Sequence, residues 1–173
     1  SFVVLRNGVP VDTTSIGVYD VKQDGEYQVI ALGKDGWDSF ASEPLGYHSE
    51  EIVTKLGIHT SATENSNVTI KVNVPCDGLW FADFSYNNPQ DNFEDNNKCC
   101  NRSVYVNGKK AGLAVFPELG KGLTDLLLRS NSLKLELRKG LNTIELRYSD
   151  ENVNMNIDVN ECYIDDIRLV PLI

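Results

Sequence analysis

Apolar and polar residues alternate along most of this chain, and the period is two. Val68, Ile70, Val72 and Val74 alternate with Thr69, Lys71 and Asn73 before Pro75. After Asp77-Gly78, the residues Trp80, Ala82, Phe84 and Tyr86 share one face, opposite Leu79, Phe81, Asp83 and Ser85. Successive side chains of a strand point to opposite faces, so the first set is the expected core face. Val104 and Val106 alternate with Ser103 and Tyr105, and Leu113 and Val115 with Ala114 and Phe116. Between these two runs stands Asn107-Gly108, whose residues both tolerate the positive φ of a type I′ turn, so a β-hairpin is predicted. Pro117 ends its second strand, because proline has no N–H for the ladder.

The same pattern continues to the end. Leu133, Leu135 and Leu137 alternate with Lys134, Glu136 and Arg138 up to a turn at Lys139-Gly140, and Ile144, Leu146 and Tyr148 follow. In the last strand the apolar phase slips by one between Ile164 and Ile167, which predicts a β-bulge at Asp165-Asp166. Leu119 to Asn131 is punctuated by glycine, with room for one short helical turn. Nowhere does a three-turn helical pattern occur, so the chain is all-β.

Residues 1–45 have a pattern of their own. Strands are predicted at Phe2–Arg6, Val9–Thr13, Ile16–Val21, Tyr27–Leu32 and Ser39–Glu43, with turns at Asn7-Gly8, Asp24-Gly25 and Asp35-Gly36. Turn signals every eight to twelve residues are the spacing of a β-sandwich. A looser stretch follows from Gly46 to Asn67, with one further strand expected at Glu51–Leu56. The domain boundary is placed near Leu45.

Composition narrows the function classes. Hydrophobic residues make up 41% and charged residues 24% of the 173, the balance of a folded globular chain. A net charge of −9 argues against nucleic acid, whose phosphates are held by Lys and Arg. No apolar run approaches the roughly 20 residues of a membrane-spanning helix. The first residue is Ser1 and the only methionine is Met155, so a processed chain or a piece of a longer one is expected. The four cysteines, Cys76, Cys99, Cys100 and Cys162, form no C-x-x-C pair. Either they are buried thiols, or one disulfide involves Cys99 or Cys100 in an oxidising compartment.

Catalytic signatures do not emerge. The two histidines, His48 and His59, fall in the loose stretch, and no G-x-S-x-G, H-E-x-x-H, P-loop or dinucleotide fingerprint occurs. With 25 acidic residues, carboxylate pairs arise by chance, so they identify no glycosidase site. The acidic stretch Asp91 to Asp95 lacks EF-hand spacing and reads as a solvated face.

Two stretches resemble known families. RNGVPV and YQVIALGKDGWDSFASEP, within residues 1–45, are similar to the second half of a fibronectin type III domain. Residues 68–173 resemble carbohydrate-binding modules of families 6 and 35, which are galactose-binding-like β-sandwiches often appended to glycoside hydrolases. The motifs that carry this are FADFSYNN, NRSVYVNGKKAG, VFPELGKG, KLELRKGLNTIELRYS and VNMNIDVNECYIDDIRL, in the family's order and spacing. Within that family the likeness is to C-terminal modules on multidomain glycosidases of gut Bacteroidetes.

The resemblance implies an all-β fold: a galactose-binding-like jelly-roll sandwich over residues 46–173, preceded by a partial fibronectin-III-like unit. It further implies a ligand site at the loop end of the sandwich, formed by Tyr86, Asn87, Arg102 and Asn154, with Asn156 the alternative register of N-M-N. Such residue types suit a sugar, which offers a fixed array of hydroxyls and one apolar face. Arg102 would pair bidentately with a uronate. In the alternative reading Tyr86 caps the core and Arg102 pairs with a carboxylate. One departure stands out: where the family commonly has a tryptophan, GLTDLLLRSN has none, and Phe93 or Phe116 is left as platform or as packing. A structural Ca²⁺ is the family's other feature, matched here to Asp165 or Asp166 with Glu50 or Glu51, although the family's E-A-E motif is absent.

The expected function is therefore non-catalytic recognition of an oligo- or polysaccharide beside the catalytic domain of a parent glycoside hydrolase. The expected location is periplasmic, cell-surface or extracellular in a bacterium. The rival expectation is a structural module that packs against that catalytic domain without binding sugar.

Overall fold

The computed structural model describes residues 1–60, 66–89, 99–120, 122–153 and 160–172. Among them, secondary structure consists of strands and one 3-10 turn at Asp150–Asn152. The chain divides into two compact units, Ser1–Glu51 with Val170–Ile173, and Ile52–Leu169.

The first unit is built on one antiparallel sheet in the order β2-β1-β3-β4, from β1 (Phe2–Arg6), β2 (Val9–Thr14), β3 (Gly25–Ala31) and β4 (Leu45–Tyr47). Asn7 and Gly8 take φ of 51° and 76° between the paired ends Arg6 and Val9, the type I′ turn expected. Val4, Leu5 and Tyr27 are buried, whereas Trp37 and Phe40 are largely exposed.

Two strands expected in this unit do not form. Ile16–Val21 pairs with no strand, and Ile16 and Val18 stay exposed. Ser39–Glu43 runs beside β3 but makes no ladder. Its serine hydroxyls take the place of carbonyls: Ser39 Oγ accepts from Ala31 N–H at 2.8 Å and Ser42 Oγ from Val29 N–H at 3.0 Å. Serine side chains competing for backbone partners in this way displace regular pairing.

The second unit is a two-sheet jelly-roll sandwich. One sheet contains β5 (Ile52–His59), β7 (Gly78–Asn87), β10 (Leu128–Arg129), β11 (Leu133–Leu137) and β13 (Tyr163–Pro171). Its order is β10-β7-β13-β5, with β11 also on β7. The other runs β6-β12-β8-β9, from β6 (Val68–Val74), β8 (Cys99–Val106), β9 (Lys109–Pro117) and β12 (Gly140–Arg147). The chain crosses between sheets at Asp77-Gly78 and Lys139-Gly140, so these turns are corners rather than hairpins. Asn107-Gly108 is a true hairpin, with φ of 49° and 82° between Val106 and Lys109.

Leu119 to Asn131 forms no helix where it is described; β10 pairs Leu128 with Tyr86 and Arg129 with Ser85. Inward-facing residues of both sheets fill one core: Trp80, Phe84 and Tyr86 from β7, Leu133, Leu135 and Leu137 from β11, Ile164, Ile167 and Leu169 from β13. They meet Ile70, Val72, Val74, Val104, Val106, Phe116, Ile144 and Leu146. The β13–β5 register shifts between Ile164 and Asp166, but the extra residue lies on β5 and not at Asp165-Asp166, since Asp165 alone opposes two residues. Opposite lies Leu56-Gly57, and Gly57 relieves the bend with φ of 61°.

The core face of β7 is the one its alternation predicts. Its other face is buried as well, at Phe81, Asp83 and Ser85. Lys134 lies over the Phe81 ring at 5.3 Å, and Arg129 and Arg168 cover Asp83.

Candidate functional site

One end of the sandwich gathers most of the residues that the sequence singled out. It lies where β7 finishes, β8 begins and β9 finishes. Tyr86, on the inward face of β7, is 2% exposed, and its ring meets Phe116 edge-on with centroids 5.3 Å apart. Phe116 also meets Phe84 and is fully buried, so it is core packing and not a sugar platform. Burial pushes the Tyr86 hydroxyl up to about 12.

The next residue, Asn87, points the other way. Its Nδ2 donates to the carbonyls of Leu123 at 3.0 Å and Leu126 at 2.5 Å, fixing the segment that follows β9 against the strand end. Asn88 continues the job: its Nδ2 donates to Phe116 O, and its carbonyl accepts from Leu119 N–H, both at 3.0 Å.

Arg102 is 0% exposed. It lies on β8 at the same parity as Cys100, Val104 and Val106, so the strand carries it to the inward face. Nη1 donates to Asn160 Oδ1 at 2.8 Å and to Asn101 O at 2.7 Å, and Nη2 donates to Asn160 O at 2.8 Å. The guanidinium also sits 5.1 Å from the Tyr148 ring centre. These bonds from Nη1 and Nη2 offset much of the cost of burying the cation.

Asn160 anchors a wider polar cluster. Its Oδ1 also accepts from Asn101 N–H at 2.9 Å, and its Nδ2 donates to Asn152 O at 2.7 Å. Asn152 Nδ2 donates in turn to Asn101 Oδ1 at 3.0 Å and Ser103 Oγ at 3.2 Å. Asn101, Arg102, Ser103, Asn152 and Asn160 are all buried. The cluster ties β8 to the 3-10 turn and to the approach to β13.

Tyr86, Asn87 and Arg102 thus belong to one end of the sandwich, linked through Phe116 and its strand partner Cys100. They are buried supports, not exposed contacts. Asn154, Asn156 and Phe93 lie outside the described residues. The sequence reading missed Asn160, Asn152 and Asn101. Asn101 stands beside Arg102, and Asn160 lies in the closing motif VNMNIDVNECYIDDIRL, of which the resemblance singles out only Asn154 and Asn156. Asn152 lies in the 3-10 turn after β12, the neighbour of β8 in its own sheet, and Asn160 lies between that turn and β13.

The four acidic residues matched to Ca²⁺ lie elsewhere. Glu50 and Glu51 are exposed in the first unit. Asp165 and Asp166 lie on β13, where Lys55 Nζ reaches Asp165 at 2.6 Å and Asp166 at 3.2 Å. Arg129 Nη1 bridges Asp166 at 2.6 Å to Asp83 at 3.2 Å, and Arg168 donates to Asp83. Three carboxylates and three cations therefore neutralise one another across β5, β13, β7 and β10. The Lys55 ammonium beside it holds the Asp165 carboxyl below the usual range. Calcium needs six to eight oxygens, and among the described residues no group of three or more His, Cys, Asp or Glu side chains comes together to hold a metal. The carboxylates as placed do not fit the ion.

The described helical structure is a single 3-10 turn, and no helix is long and apolar enough to cross a membrane.

No family model matches the chain, and no curated protein does. Several solved structures are similar. A CBM35 from Cellvibrio japonicus Abf62 is 16% identical with a TM-score of 0.47, over 64% of this chain and 69% of that one. A family 35 carbohydrate binding module from Clostridium thermocellum is 15% identical with a TM-score of 0.45, over 84% and 98%. A GH26-CBM35 β-(1,4)-mannanase from Podospora anserina is 16% identical with a TM-score of 0.48, and the chain spans 28% of its length. Several of these structural neighbours are carbohydrate-binding modules, and identity this low carries none of their site residues or ligands across.

Proposed function

We propose that the chain is a non-catalytic carbohydrate-binding module of the family 6/35 type, part of a larger secreted or surface glycoside hydrolase of Bacteroidetes type. In this reading residues 46–173 form the module, and residues 1–45 form a partial fibronectin-III-like segment. The module holds a glycan near the parent's catalytic domain and raises local substrate concentration by tethering, with no chemistry of its own.

One observation carries the reading: Tyr86 and Asn87 from one motif and Arg102 from another lie at one end of the sandwich. Because they are buried, their role is to hold the rim in shape. Asn87 fixes the segment after β9, and Arg102 with Asn160 fixes the start of β8. A preorganised rim lowers the ordering cost of binding.

The test is affinity electrophoresis of the whole chain through gels containing plant and host polysaccharides, with a glycan array alongside. Retardation by at least one glycan is expected, and Asn87→Ala should weaken it while the chain stays folded. A folded chain that no polysaccharide retards overturns the reading.

A second reading, the accessory module that packs on its catalytic domain, has its own support. Leu123, Leu126, Leu127 and Leu128 are each 40–45% exposed along the segment where the family commonly has its tryptophan. Apolar side chains grouped this way suit a protein surface better than a sugar. This reading expects no glycan hit, and binding of the parent's catalytic domain that Leu127→Ser weakens.

A further inference from the structure

Neighbouring residues of a strand point to opposite faces, so Cys99 and Cys100 part company at the start of β8. Cys100 turns into the core and is fully buried, whereas Cys99 is half-buried and its thiol donates to the Cys100 carbonyl at 3.5 Å. Cys162 comes from the other sheet, one residue ahead of β13, and is buried too. Thr60, just past the end of β5, touches both sulfurs: its Oγ1 is 3.7 Å from Cys100 Sγ and 3.9 Å from Cys162 Sγ. That hydroxyl also accepts from Cys162 N–H at 2.9 Å, which holds the second cysteine in place. The shared Thr60 hydroxyl brings the two thiols into one buried neighbourhood between the sheets.

We propose that Cys100 and Cys162 form a disulfide site that staples the two sheets of the sandwich together, closed as the chain folds in an oxidising compartment. Alternation excludes Cys99 as the partner, and Cys76 is exposed on the corner between β6 and β7.

The chemistry is thiol–disulfide exchange with a small disulfide such as oxidised glutathione. The Cys100 thiolate attacks one glutathione sulfur, its S–S bond breaks, and one glutathione thiolate leaves. The Cys162 thiolate then attacks Cys100 Sγ in the mixed disulfide and expels the second glutathione. Each cysteine gives up one proton, and the two electrons lost by the pair reduce the oxidised glutathione to two thiols. The same exchange balances with the two cysteines in either order. Because both sulfurs are buried in the folded chain, the exchange belongs to folding, when they are still reachable.

The test is independent of sugar binding. The whole chain is refolded from urea in a mixture of oxidised and reduced glutathione. Free thiols are then titrated under denaturing conditions, and an unreduced digest is mapped by mass spectrometry. Two of the four thiols should disappear, and the Cys100 and Cys162 peptides should appear joined and two hydrogen atoms lighter. The oxidised chain should melt roughly 10 °C above its dithiothreitol-reduced form, as closing a long loop predicts. A Cys100→Ser/Cys162→Ser chain should show no such difference. Should that variant fail to fold, Cys76→Ser/Cys99→Ser keeps the proposal exposed, since both of its remaining thiols must vanish. Four thiols still free after refolding, or a link through Cys76 or Cys99, overturns it.

Discussion

Arg102 and Asn160, 58 residues apart in sequence, meet through two hydrogen bonds of 2.8 Å, from Nη1 to the side-chain oxygen and from Nη2 to the backbone carbonyl. Both residues are fully buried. Asn160→Ala removes one acceptor from a desolvated cation, leaves Asn101 N–H short of its partner, and frees Asn152 O. Losing part of a buried charged network costs about 2–4 kcal/mol. Urea denaturation should show the midpoint fall by that equivalent with an unchanged slope. A loss below about 0.5 kcal/mol, the range of an ordinary surface change, would mean the cluster does not hold this end together.

Tyr86 gives the sandwich an alkaline limit. Its hydroxyl is raised from 10.0 to about 12, first by burial and then by the neighbouring Cys162 and Cys99. A raised acid stays protonated in the folded chain while the unfolded chain ionises. Its contribution is therefore complete below pH 10 and is lost as pH rises from 10 to 12. The gap corresponds to roughly 3 kcal/mol. Tyr86→Phe keeps the ring against Phe116 but removes the titration, so its stability should fall less across that window than the parent's. Parallel curves would remove Tyr86 from the account.

Asp165 sets a weaker limit in acid. The Lys55 hydrogen bond is the largest cause of its lowered range. A lowered carboxylate adds stability above its ordinary titration range, and that stability is lost as pH falls through the folded value. Lys55 is 71% exposed, so water and salt screen the pair. Asp165→Asn should flatten the acid limb of the pH–stability curve slightly, and 1 M salt should flatten the parent's limb in the same way.

Asp83 is the more costly carboxylate to lose. It is 2% exposed and is approached by Arg129 Nη1 at 3.2 Å and Arg168 Nε at 3.2 Å. Asp83→Ala leaves both guanidinium groups over a buried gap, at a cost of about 3–5 kcal/mol. Thermal unfolding should register it as the largest loss among the outward-facing residues of β7.

Asp83 also marks the limit of what the sequence disclosed. Alternation gave the core face of β7 correctly, because that pattern is local to the strand. Burial of the opposite face depends on Arg129, Arg168 and Lys134, which reach β7 only after distant strands pair, and no local pattern encodes that pairing. Arg102 was legible and still misread. Its parity with Val104 and Val106 places it inward, whereas the family resemblance assigned it to the ligand site. The reverse error occurred at Ser39–Glu43, where the pattern suited a strand and the serine hydroxyls took over its ladder bonds. The candidate site was legible as three motifs, whereas Asn152 and Asn160, which support it, lie about 50 to 60 residues beyond Arg102 and meet it only once β12 has paired with β8.

The Asn107-Gly108 turn allows a cleaner division of effects. Both residues sit at positive φ, as a type I′ turn requires, yet Asn107 does more than turn the chain. Its Oδ1 accepts from Thr143 N–H and its Nδ2 donates to Asn142 Oδ1, both at 2.9 Å, which couples the β8–β9 hairpin to β12. Asn107→Gly removes those two bonds while keeping the backbone unstrained, for a loss of about 1–2 kcal/mol. Asn107→Ala loses the same bonds and adds the left-handed penalty of about 1–2 kcal/mol. Gly108→Ala isolates that penalty, because a Cβ at Gly108 meets nothing within 4 Å. Chemical denaturation of the three variants should therefore rank Asn107→Ala as the least stable, with its loss close to the sum of the other two. Equal losses for Asn107→Gly and Asn107→Ala would show that the turn does not hold its left-handed form.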